Sequence, residues 1–210
     1  MMQRRPFIIR SLALNAASAL PALAPRMAHA AASVNQSAPD FTLSDTAGKP
    51  VKLSQFKGKL VVLEWNNPGC PFVRKHYQGN MQALQKDFTN QGVVWLAINS
   101  TEEASGDHLS PAQLARWMTE KGASPSATLM DEDGNVGKAY GARVTPHMFI
   151  VNTQGLLAYA GAIDSIPTAR VADIEKATNH VRQGLTELLA GQPVSVATSQ
   201  AYGCSVKYKT

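Results

Sequence analysis

The stretch that most constrains the fold runs from Leu60 to Tyr77. It opens as an apolar run, Leu60-Val61-Val62-Leu63, passes Glu64-Trp65, and turns through Asn66-Asn67-Pro68-Gly69 to deliver Cys70 and Pro71. Behind the turn Val73, Tyr77, Met81, Leu84 and Phe88 recur at helical spacing. A buried strand, a tight loop and an amphipathic helix are the expected consequence. Pro71 suits the first helical position, where the N–H it lacks would have no partner in any case. Cys70 then stands where unsatisfied N–H groups and the positive end of the helix dipole favour an anion. A thiol so placed is expected to ionise more readily than a free one, and the thiolate is the nucleophile. A lone cysteine is more often a small buried hydrophobe, but the polar, glycine-containing loop places Cys70 at a surface and favours a reactive role.

Composition bounds the rest. The chain has 210 residues, 44% hydrophobic and 17% charged, enough for one well-cored domain. The formal charge of +5 overstates how basic that domain is. Arg4, Arg5, Arg10 and Arg26 lie in the first thirty residues, which hold no Asp or Glu, so the remainder carries only +1. No basic stripe with interleaved aromatics appears, and nucleic acid is not an expected partner. The first thirty residues read instead as an export signal. Arg4-Arg5 precede Phe7-Ile8-Ile9, a modestly apolar run follows from Ser11 to Pro25, and Ala28-His29-Ala30 is an A-x-A cleavage site. The paired arginines resemble a twin-arginine signal, the alternative being an ordinary secretory signal with a charged start. Residues 1–30 are therefore assigned to a signal peptide and 31–210 to one domain working in the periplasm, with no membrane span after signal removal. In that compartment Cys70 and Cys204 can pair, either as a structural staple or as a catalytic couple in which Cys204 resolves an oxidised Cys70.

Along the chain, Ala31 to Ser37 reads as a flexible start, and Pro39 to Leu43 with Val51 to Leu53 as a hairpin around a turn cluster. The Leu60 strand, the Cys70 helix continuing to Phe88 and a second apolar strand, Val93 to Ile98, imply a right-handed parallel crossover. Asn99 to Leu109 is an acidic loop expected to be solvated surface. A helix starts at Ser110-Pro111 and stops at Gly122. A strand from Ala127 to Met130 meets the turn Asp131-Glu132-Asp133-Gly134, which lacks the length of a calcium loop, and a brief helix through Tyr140 follows. Val144 to Val151 is a strand interrupted by Pro146, and Leu156 to Ala160 returns beside it. One last helix carries Val171 to Leu188, and the tail from Gln192 to Thr210 holds Cys204.

The hairpin Pro39-Asp40-Phe41-Thr42-Leu43, then Lys57-Gly58-Lys59, the Cys70 unit, Val144-Thr145-Pro146 before Phe149, and the tail Gly203-Cys204-Ser205-Val206-Lys207-Tyr208 resemble the redoxins of the thioredoxin superfamily. More narrowly they resemble the peroxiredoxin-like group of the alkyl hydroperoxide reductase and thiol-specific antioxidant family. The resemblance implies a single α/β thioredoxin-like domain, with a central mixed sheet flanked by helices and an N-terminal β-hairpin. It implies that Cys70 is the active-site thiol and that Pro146 is the cis-proline facing it. Thr145 then offers backbone groups to a bound thiol or peptide, with Pro71 beside them. Cys204 takes the place of a tail thiol that could resolve an oxidised Cys70.

The departures from the family pattern matter as much. The position three after Cys70 is Val73, so the dithiol motif of thioredoxins is missing. The position three before is Asn67, where the group often has its second cysteine and peroxiredoxins have Thr or Ser. Leu63 stands where peroxiredoxins have proline, and their arginine aligns with Pro146, with Arg143 nearby. Turnover therefore needs Cys204, an external thiol or a partner protein. The expected function is an exported thiol–disulfide oxidoreductase acting on protein or low-molecular-weight thiols and disulfides, with an external reductant and no cofactor. A thiol peroxidase acting on hydroperoxides is the alternative, and a redox-inactive binding module the third reading.

Glu64 matches the buried acid of thioredoxins in position and is a candidate proton acceptor, against the reading of a strand-end carboxylate. Arg74 and Lys75 are expected to be solvated surface charges, the alternative being that they add positive potential near the thiol. His76 and His147 lack ligand spacing with Cys70, so no metal is expected. Trp65 is expected to be a core residue.

Overall fold

The computed structural model describes residues 1–3 and 31–209. The expected signal peptide falls almost wholly outside the described residues. Seven strands form the central sheet in the order β2-β1-β5-β4-β3-β7-β8. Its middle is β3 (Val61–Trp65), which pairs in parallel with β4 (Val94–Asn99) and antiparallel with β7 (His147–Val151). On one side β4 continues in parallel to β5 (Ala127–Met130), and the hairpin β1 (Thr42–Asp45) and β2 (Pro50–Lys52) closes that edge antiparallel. On the other side β8 (Leu157–Gly161) closes the edge against β7. This is the thioredoxin-like mixed sheet that the sequence led us to expect.

Both faces of the sheet are covered, so β3, β4 and β7 are buried along their whole length. Val62, Trp95, Met148 and Ile150 point to the face covered by α1 (Pro71–His76), α2 (Asn80–Thr89), α3 (Pro111–Glu120) and α5 (His180–Leu189). Val61, Leu63, Trp65, Leu96, Ile98 and Phe149 point to the other, under the hairpin and α4 (Asn135–Tyr140). Trp65 is a core residue as expected, donating from Nε1 to Ser100 and set edge-on against Phe149.

Four expectations need correction. The helix behind Cys70 is two helices, because Gly79 at φ 121° breaks it between α1 and α2 while the apolar spacing runs on across the break. The last helix is likewise a 3-10 segment, Val171–Lys176, followed by α5. Ala31 to Ser37 is not loose: Ala32 N–H donates to Ala139, Asn35 N–H to Leu157, and Ser37 bridges Leu156. The proline-interrupted strand is two, since Val144–Thr145 leaves the sheet as β6 and pairs with β9 (Cys204–Ser205) from the tail.

Candidate active site

The loop after β3 is set by its asparagines. Asn66 N–H donates to Ile98 O, and Asn99 Nδ2 donates to Asn66 O, which ties the loop to the end of β4. Asn67 Oδ1 accepts from Gly69 N–H at 2.6 Å, its Nδ2 donates to Thr101 Oγ1, and its carbonyl accepts from Cys70 N–H at 3.0 Å. Asn67 thus closes the turn that aims Cys70 as the N-cap of α1, with Pro71 at its first position. Arg74 Nε donates to Pro68 O at 2.7 Å, so this arginine braces the loop. The neighbouring acidic loop is only partly solvated: Thr101 is buried and Glu102 N–H donates to Lys207 O in the tail.

Cys70 lies across from the cis Thr145-Pro146 bond, and its Sγ donates to Thr145 O at 3.0 Å. The expectation of a surface thiol is overturned, for Cys70 is only 2% exposed. Cys70 belongs to the core cluster on this face of the sheet, and the tail adds to its cover. Strand β9 pairs Cys204 with Thr145, and the Cys204 thiol lies against that of Cys70, while neither is in a disulfide. Burial opposes ionisation of Cys70. Hydrogen bonds from the Cys204 thiol and the Val73 N–H outweigh it and hold the pKa below the ordinary thiol value. The Thr145 hydroxyl is buried with no hydrogen-bond partner. Burial and the adjacent Cys70 push Cys204 the other way. Between the two sulfurs, Cys70 is the one to hold the negative charge and Cys204 the one to hold the proton.

Glu64 does not reach the thiol directly. Its carboxylate lies wholly buried beneath α1 and α2, taking hydrogen bonds from Tyr77 Oη and Trp95 Nε1 at 2.7 Å each, Gln85 Nε2 at 3.2 Å and Asn66 Nδ2 at 3.4 Å. Burial pushes its pKa up, and the four donors offset that only in part. Its route to Cys70 runs through Asn66, at the head of the Cys70 loop.

A cluster that the sequence did not mark stands on the other side of Cys70. Lys75, expected at the surface, is 1% exposed and donates from Nζ to Asp164 Oδ2 at 3.1 Å and Ile166 O at 3.3 Å. Tyr202, two residues before Cys204, donates its hydroxyl to Asp164 Oδ1, and Lys75 Nζ and His76 Nε2 lie 3.4 Å and 3.3 Å from the Tyr202 hydroxyl oxygen. Phe72 meets the Tyr202 ring edge-on. These partners are far apart in sequence, and no local pattern distinguishes Lys75 from an exposed helix lysine. His76 and His147 are buried and lowered to about 4 by that burial. Among the described residues no group of three or more His, Cys, Asp or Glu side chains is arranged to hold a metal.

Comparison with known proteins matches residues 34–160 to the AhpC/TSA family. The thiol-disulfide oxidoreductase ResA of Bacillus subtilis is 32% identical over 118 residues, 56% of this chain and 61% of that protein. The chain thus spans about three fifths of that relative's length. A Mycobacterium tuberculosis protein named "Putative peroxiredoxin Rv2521" is 28% identical over 149 residues, 69% of this chain and 87% of that one. Among solved structures, an uncharacterized conserved protein from Geobacillus kaustophilus superposes with a TM-score of 0.72 at 30% identity, covering 84% of this chain and 93% of its own.

Proposed function

The chain belongs to the AhpC/TSA family, and from that premise we propose that it is an exported thiol–disulfide oxidoreductase with Cys70 as nucleophile and Cys204 as resolving thiol. The observation that carries this reading is the placement of the Cys204 thiol against Cys70 by the backbone pairing of β9 with Thr145. The Cys70 thiolate attacks one sulfur of a substrate disulfide. The substrate S–S bond breaks, and the other sulfur leaves with the electron pair and takes up a proton. Cys204 then loses its proton and attacks the Cys70 sulfur of the mixed disulfide. A Cys70–Cys204 disulfide forms and the first substrate thiol is released reduced. An external thiol reductant restores the dithiol. Thr145 and Pro146, with Pro71 at the helix start, form the wall against which the substrate sulfur lies. Glu64 acts as a positioning residue through Asn66, holding the loop that aims Cys70.

The paired arginines and the A-x-A site support export to the periplasm. A twin-arginine route is tested by exchanging Arg4 and Arg5 for lysines and following retention of the precursor in the cytoplasm.

The match to a protein named as a peroxiredoxin favours a second reading, in which a hydroperoxide oxidises Cys70 to a sulfenic acid and Cys204 traps it with loss of water. Two variants separate the readings. Under the first, Cys70→Ser abolishes exchange with a model disulfide, and Cys204→Ser accumulates a mixed disulfide on Cys70. Rapid peroxide consumption alongside inert behaviour toward disulfides establishes the second reading instead.

A further inference from the structure

The tail does more than deliver Cys204. It lies as an extended strand on the backbone of Thr145, the same edge that a substrate strand would need, since an incoming chain gains its main-chain hydrogen bonds from an unpaired edge. Val206 N–H donates to Arg143 O, so β6 is paired along its length. At Gly203 the tail approaches so closely that a Cβ would collide with the Thr145 carbonyl, and its φ of 142° is one that L side chains rarely adopt. At Tyr202 the ring enters a built pocket. The phenol is held by Asp164, Lys75 and His76, the ring packs edge-on against Phe72, and the Lys75 ammonium lies 5.6 Å from the ring centroid. Asp164 is 3% exposed and Lys75 1%, so this is a desolvated polar pocket, matched in its hydrogen bonds to a phenol.

We propose that the tail is an internal occupant of the substrate subsite, and that the site selects an extended, cysteine-containing protein segment with glycine immediately before the cysteine and tyrosine one residue earlier. This rests on the thiol–disulfide reading above and adds the substrate class to it. A substrate strand enters only when the tail leaves. When the tail returns, it displaces that strand and brings Cys204 onto the mixed disulfide in one event, so that release and resolution share a subsite. The Phe72, Lys75, His76 and Asp164 pocket is thereby the specificity determinant.

The test uses the full chain carrying Cys204→Ser, alone and combined with Tyr202→Ala or Tyr202→Phe. The probes are three hexapeptides, Ala-Tyr-Gly-Cys-Ser-Val and its Phe and Ala replacements at the tyrosine, each as a mixed disulfide with thionitrobenzoate. Attack of Cys70 on the peptide sulfur expels the coloured thiolate, which is the readout. With Tyr202→Ala the pocket is open, and the tyrosine peptide reacts about tenfold or more faster than the alanine peptide, the phenylalanine peptide between them. With Tyr202 intact the tail competes and all three slow down. With Tyr202→Phe, which keeps the ring and so the packing, the rates fall between those of the other two proteins. Equal rates for the three peptides, in a protein whose Cys70 still reacts with dithiobis(nitrobenzoate), overturn the subsite and leave the redox reading standing. A Cys70 inert to the peptides and to that small disulfide overturns both.

Discussion

Replacing Gly203 with alanine tests how the tail covers the reactive sulfur. The new methyl group would sit inside van der Waals contact of the Thr145 carbonyl oxygen, and the φ of 142° is strained for any L side chain. Holding a non-glycine residue in such a conformation costs on the order of 1–3 kcal/mol. The pairing of Val144 with Ser205 and of Thr145 with Cys204 is then weakened, and each backbone hydrogen bond lost removes about 1 kcal/mol. A shift of about 2–4 kcal/mol toward the detached tail follows, which raises the open population roughly 30- to 1000-fold. The assay is the rate of Cys70 alkylation by iodoacetamide in the reduced protein, followed by mass spectrometry, with urea denaturation run in parallel. Alkylation is expected to rise steeply while the global transition moves little, because Gly203 lies outside both core clusters. A folded Gly203→Ala protein that alkylates at the parent rate refutes the reasoning, for the tail would then be no part of what covers Cys70.

Three further outcomes follow from buried charge. Lys75→Met strands Asp164 without its cation in a site that excludes water, and is expected to cost about 3–5 kcal/mol by urea denaturation, with most of it regained in Lys75→Met/Asp164→Leu; a loss under about 1 kcal/mol would contradict the pairing. The Glu64 pKa is raised in the folded protein, so its contribution to stability is present below pH 4.5 and lost as the pH rises through the folded value. The stability of the parent relative to Glu64→Gln should therefore fall as the pH rises above 4.5 and then level off; a flat or rising difference refutes the raised carboxyl. His147, depressed from 6.5 to about 4, is neutral when folded, so stability present above pH 6.5 is lost on acidification through about 4. His147→Gln should remove roughly 3 kcal/mol of that acid sensitivity, and parallel stability profiles for the two proteins would contradict it.

Sequence periodicity was a reliable guide wherever the determining contacts are local or the burial is uniform. The run from Leu60 to Leu63 and the stretch from Val93 to Ile98 are apolar because β3 and β4 are covered on both faces, by α1, α2, α3 and α5 on one and by the hairpin and α4 on the other. Ser110 caps α3 from its own side chain, and the cap is visible as Ser-Pro ahead of an apolar stripe. The Cys-Pro junction was legible for the same reason. Helix breaks were not, because Val73, Tyr77 and Met81 keep facing the sheet on both sides of Gly79. The least legible part was the tail. Its placement depends on Tyr202 meeting Lys75, 127 residues away, and on β9 finding β6, neither of which leaves a periodic trace. The burial of Cys70 is hidden in the sequence for that reason: the loop that carries it is polar, and part of what covers it arrives from the far end of the chain.

The most direct measurement is non-reducing peptide mapping after the reduced protein meets one equivalent of oxidised glutathione. The account predicts one cross-linked peptide pair joining Cys70 to Cys204, with about two glutathione thiols released per protein. Recovery of the two cysteines in separate peptides, both still thiols or with glutathione on Cys204 alone, would contradict it.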